Sequence, residues 1–238
     1  MGFWGVVSSI GSALSSACST ICSGISSLCS SIGGALSSAI STISSALVTG
    51  LGIGLKEISI GLKIICTIVS FIAEAIGIKK EEESPEELAM QAEQSDKKPE
   101  DFDSINEYIE YLRENIKVDK EKLNNLSEEE KCKYQAVGTA IYVKGIEEKY
   151  DMTISPQFLI AAKDLNLSGQ EVKMYMDNFK KAGINDMDQM LKYLKNDIDT
   201  KENKIKVDDA MVSTLKELNP EMSDDDIFGE LNNMSLDK

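Results

Sequence analysis

Apolar residues recur at a fixed spacing in the opening stretch of the chain. Residues 8–51 divide into SSIGSALSSAC, STICSGISSLC, SSIGGALSSAI and STISSALVTGL. The third place of each eleven-residue unit is Ile10, Ile21, Ile32 and Ile43, and the seventh is Leu14, Ile25, Leu36 and Leu47. Leu28 and Ile40 fill the last two places of their units beside them. Eleven residues make three turns at about 3.67 residues per turn, so these side chains stay on one side of a helix. The spacing does not alternate, which sets a strand aside. A single long helix is therefore expected, running to a glycine-rich break at TGLGIG, 49–54. A second helix is expected from Leu55 to Ile78. Its apolar stripe is Ile58, Leu62, Ile65, Val69, Ile72 and Ile76, and its polar residues Lys56, Lys63, Thr67, Ser70 and Glu74 fall on one narrow line.

The pattern then changes. Residues 79–103 are highly charged, contain Pro85 and Pro99, and read as a solvated linker with a short helix near Pro85 to Gln94. From Ser104 onward the signals are those of an ordinary helical domain. Ser104 precedes a helix carrying Ile105, Tyr108, Ile109 and Leu112. Ser127 and Glu130 form a capping box ahead of a helix to Tyr150. Ser155–Pro156, Ser168 with a closing Gly183, and Asp186 start three more, and helices over 207–218 and 223–234 follow. The expectation is an all-α protein in three parts: a neutral segment 1–78, a charged linker 79–103 and an acidic helical domain 104–238.

Charge sharpens that division. Residues 1–55 hold no Asp, Glu, Lys or Arg, and residues 1–78 are neutral, so the whole net charge of −15 falls on 79–238. That acidity, with Arg113 the only arginine, excludes nucleic acid as a partner, because phosphate binding needs clustered cations. The chain has no histidine, which removes His-based nucleophile pairs and metal sites. The five cysteines, Cys18, Cys22, Cys29, Cys66 and Cys132, have no zinc-knuckle spacing and read as small packing residues. The stretch DIDTKENKIKVD, 197–208, places Asp197, Asp199 and Asn203 like a calcium loop. It has Lys201 at the fifth position and Glu202 in place of the turn glycine, so a surface turn is expected. No catalytic residue, cofactor or metal is assigned, and the chain reads as a non-enzyme. The fragment LKELNPEMSDDDIFGEL, 215–231, resembles the helix–Pro–helix start of ubiquitin-binding CUE domains, without room for their third helix.

The neutral segment carries the functional reading. Residues 1–50 include sixteen serines, and serine and glycine are poor helix formers in water, so this helix needs a surrounding other than water. Residues 6–48 resemble amphipathic lipid-packing sensors, which pair a Ser/Thr/Gly face with a bulky apolar one. The resemblance implies adsorption to lipid-packing defects rather than to anionic lipid. The chain departs from that class by adding the more apolar second helix, long enough for the ~20 residues of a membrane span. Phe3 and Trp4 would sit at the membrane interface. One reading is a delivered effector or ejected virion-type protein whose helices enter a bilayer and form a pore or conduit. The other is a structural assembly protein whose repeat packs as a bundle in a particle, tube or homo-oligomer. Partners expected are a lipid bilayer, further copies of the chain, and a protein docked by the acidic domain. The N-terminus lacks the positive region of a signal peptide, so delivery by a dedicated machine is expected.

Overall fold

The structure, a computed structural model, describes residues 16–52 and 54–234. Within them lie twelve α-helices and one 3-10 turn, with no strand, so the chain is all-α. It divides into two compact units between Glu148 and Lys149.

The first unit opens with helices α1 (Ser16–Ile32) and α2 (Gly34–Leu51). The eleven-residue register predicts one helix here, but the chain reverses. Gly33 and Gly34 have φ of 73° and 82°, a conformation that glycine alone adopts without steric cost. The two arms run antiparallel, with Cys22 beside Ser45 and Cys29 beside Ser41. Each arm turns its apolar stripe inward, which gives the reversal its driving force. Buried residues are Ile21, Ile25, Leu28, Cys29 and Ile32 on α1, and Ile40, Ser44, Leu47 and Val48 on α2.

The expected break near 49–54 is present, with Gly52 at φ 143°. Helix α3 then spans Leu55–Ala75. It ends in a Schellman cap: Gly77 has φ 74°, its N–H donates to Glu74 O, and Ile78 N–H donates to Ala73 O. Three further helices follow: α4 (Pro85–Gln94), α5 (Ile105–Asn115) and α6 (Lys120–Asn124), with the 3-10 turn Pro99–Asp101 between the first two. The charged stretch 79–103 holds the short helix expected near Pro85 to Gln94, followed by the 3-10 turn. Ser84 caps α4 through Glu87 N–H, Pro85 takes its first turn, and Leu88, Ala89, Met90 and Ala92 are buried on one face. Glu86 and Glu87 precede these residues and Glu93 follows them, so the apolar run is short within a charged stretch.

Helix α7 (Glu128–Tyr150) explains why the first unit holds together. Every residue from Tyr134 to Val143 is buried, so the helix needs cover on all sides. Five helices supply it. Lys133 lies over Gly24 of α1, and Ser44 of α2 donates to Ala136 O at 3.2 Å. Cys66 Sγ of α3 meets Thr139 Oγ1 at 2.9 Å, Pro85 of α4 abuts Gly138, and Asn106 of α5 donates to Gly145 O at 3.3 Å. The helices expected to form one acidic domain from 104 are therefore shared out. Those up to Glu148 fold with the neutral segment, against which the middle of α7 is buried.

The second unit contains α8 (Pro156–Asp164), α9 (Gly169–Lys181), α10 (Asp188–Leu194), α11 (Lys201–Leu218) and α12 (Asp224–Met234). Ser155 and Ser168 cap their helices as the sequence predicts, the latter in a capping box with Glu171. Helix α11 starts six residues earlier than expected. Thr200 accepts from Asn203 N–H, so the calcium-like stretch is a capped helix start. A parallel bridge joins Thr153 to Asp186, and Asn178 donates to Thr214 in a buried bond between α9 and α11 at 3.1 Å. Met176, Met187, Met190 and Met211 are core residues.

Candidate membrane-active helices

The residues assigned to insertion or helix packing form the inward faces of α1–α3. Ile21, Ile25, Leu28, Ile32, Ile40, Leu47, Ile58, Leu62, Ile65, Val69 and Ile72 are buried, and Leu36, Ile43 and Ile76 are half-buried. Phe3, Trp4, Ile10 and Leu14 lie outside the described residues. The polar line of α3 is on the outward face: Lys56, Lys63, Thr67 and Glu74 are exposed and Ser70 is half-buried. That face is less polar than the sequence predicts. Ile60, Ile64 and Phe71 share it, at 50%, 40% and 44% exposure. Their i, i+4, i+11 spacing is present in the sequence, interleaved with the polar line.

Part of the hydroxyl coat of the hairpin, four of its twelve described serines and its three threonines, binds back on its own helices. Thr20, Ser30, Ser31, Ser37, Thr42, Ser44, Thr49 and, on α3, Thr67 each donate to a carbonyl three or four residues earlier in their own helix. A hydroxyl satisfied in this way asks little of water. Two helices, α2 and α3, are long and apolar enough to cross a membrane by length and composition.

A few polar contacts hold these helices to the rest of the unit. Glu100 accepts from Leu36 N–H at 2.6 Å, placing a carboxylate at the N-terminus of α2, where the helix dipole favours it. Ser59 donates to Glu128, and Lys63 lies 3.7 Å from the same carboxylate. The Ser59 bond and the lysines nearby hold the Glu128 carboxyl below the usual range. At the far end of α3, Lys79 is buried and its Nζ donates to Glu74 at 2.9 Å and to Lys80 O at 3.0 Å.

The strongest tie is Arg113 on α5. Its guanidinium donates to both Glu83 oxygens, to Ile78 O at 2.7 Å, and pairs with Glu110. Burial alone would push the Glu83 carboxyl up; the Arg113 fork and the Lys80 N–H more than reverse this and hold it below the ordinary range. Sequence reasoning missed Arg113, Glu83, Glu100 and Glu128, because their partners lie 30 to 69 residues away. Burial also pushes the Cys132 thiol up to about 11, which leaves it protonated and consistent with a packing role. Among the described residues, no group of three or more Cys, Asp and Glu side chains is placed to hold a metal ion. No family model, curated protein or solved structure matches the chain.

Proposed function

We propose that the protein is a non-enzymatic, membrane-inserting protein: a delivered effector or ejected virion-type protein whose helices α1–α3 leave their packing on α7 to enter a target bilayer. There, with further copies, they form a pore or conduit. The acidic helices keep the chain soluble beforehand and dock it to a protein partner. The observation that supports this reading is the back-bonding of hydroxyls along the neutral helices. A spanning segment must satisfy its polar groups within itself, and eight hydroxyls of α1–α3 are bonded to carbonyls of their own helix. Lys56, Lys63 and Glu74 on the outward face of α3 would then line an aqueous path or a bundle interior.

A second reading has its own support. The Ile and Leu stripe of α1 and α2 is buried against protein, as expected of a structural protein whose repeat packs with helices of other copies. Vesicles separate the two. The full-length chain, mixed with neutral vesicles loaded with dye, is expected to float with the lipid and release the dye. A chain that stays in the aqueous fraction, and forms a discrete helical oligomer in lipid-free buffer, would instead be the assembly protein.

A further inference from the structure

The outward face of α3 is complementary to itself when reversed. At 100° per residue, Lys56, Ile60, Ile64, Thr67, Phe71 and Glu74 lie within about 40° of one line along the helix. All six are exposed in the folded chain. Read from one end, the line runs cation, apolar, apolar, hydroxyl, aromatic, anion. We infer that a second copy of this chain docks on this face, with the two α3 helices antiparallel about a two-fold axis midway between Ile64 and Thr67.

In that register Lys56 of one copy faces Glu74 of the other. Ile60 faces Phe71, and Ile64 faces Thr67. On the flanks Lys63 falls near Ser70, and Glu57, level with Glu74 of the other copy, is turned about 100° away from it around the helix. A parallel pairing would set Lys56 against Lys56 and Glu74 against Glu74, which charge repulsion opposes. The apolar stripe supplies the drive for docking, since three large side chains are each 40% or more exposed. The charges supply direction and register. Glu74 already binds Lys79, yet keeps 47% of its side chain exposed, so a second cation can reach it. The contact is isologous, so every favourable pair occurs twice. One helix face is smaller than the ~1,200 Å² of a standard stable interface, so the dimer should be weak and seen at high protein concentration. The inference concerns the folded chain in water and stands whether or not the helices enter a bilayer.

Sedimentation velocity of the full chain over a range up to about 100 μM tests it, the range being set by that small interface. Wild type is expected to shift from monomer to dimer. Lys56→Glu and Glu74→Lys are each expected to weaken the dimer by roughly tenfold or more, because each change places two like-charge pairs in the contact. The double variant, K56E with E74K, restores both pairs with signs exchanged, and should return the affinity to within about threefold of wild type. Far-UV circular dichroism of each variant confirms that the fold is kept. A wild type that remains monomeric across the range overturns the inference. So does a dimer indifferent to the single changes, or a double variant as weak as either single one.

Discussion

Gly138→Ala is expected to destabilise the first unit by about 3 kcal/mol or more, lowering its melting transition by roughly 10 °C. An added Cβ at this position would lie 1.8 Å from Pro85 O and 2.4 Å from Pro85 C. Those are backbone atoms at the start of α4, held there by the Ser84 cap, so no side-chain rotation relieves the clash. The helix would have to separate from α7 at the centre of the unit, a large loss against the 5–15 kcal/mol typical of a folded domain. Gly229→Ala is the matched control. A Cβ at Gly229, within α12, meets nothing within 4 Å, so this change should leave stability unaltered or raise it by about 0.5–1 kcal/mol through helix propensity. Thermal melts followed by circular dichroism decide the matter. If G138A melts within a degree or two of wild type, the close approach of α4 to α7 is not as described.

Arg113→Met should cost a similar amount, about 3–5 kcal/mol at neutral pH, because it leaves a half-buried carboxylate without its cation. The Arg113 side chain is 11% exposed and that of Glu83 is 21% exposed, so water compensates only in part. The pH dependence has a definite sign. In the wild type the Glu83 carboxyl titrates below its ordinary range, so its contribution is present above the unfolded value near 4.5 and is lost as pH falls through the lower folded value. Without Arg113, burial remains the leading influence and pushes the same carboxyl upward. Acid then relieves the variant while it weakens the wild type. The difference between their melting temperatures should therefore be widest near pH 7 and narrow toward pH 4. A difference that stays constant with pH would show that Glu83 is not the group concerned.

Local signals were readable in the sequence wherever a residue acts on its own helix. Ser104, Ser127, Ser155 and Ser168 start the helices they were expected to start, and the inward stripe of α3 falls on Ile58, Leu62, Ile65, Val69 and Ile72. Long-range pairing was not readable. The eleven-residue count runs through Gly33 and Gly34 without a slip, so Ile32 and Ile43 keep their register while sitting on opposite arms of a hairpin. The middle of α7, residues 134–143, shows no amphipathic period because it is buried on every side, and no local signal there points to the neutral helices as its cover. That arrangement answers part of the question raised by the missing charge. The serine-coated helices are covered on one side by the chain's own protein, and part of their hydroxyls are bound to their own backbone. Membrane entry therefore requires them to leave α7.

A reversible lock tests that departure directly. Cys66 on α3 and Thr139 on α7 are in contact, with Sγ and Oγ1 2.9 Å apart, and both are buried. Thr139→Cys places a second thiol where a disulfide can tie the two helices together. The oxidised variant is expected to leave neutral dye-loaded vesicles intact, and addition of reductant should restore release to the wild-type rate, while oxidant alone leaves the wild type active. Release by the oxidised, cross-linked protein as fast as by the reduced one would contradict the account, because the helices would then act on lipid without leaving their place on α7.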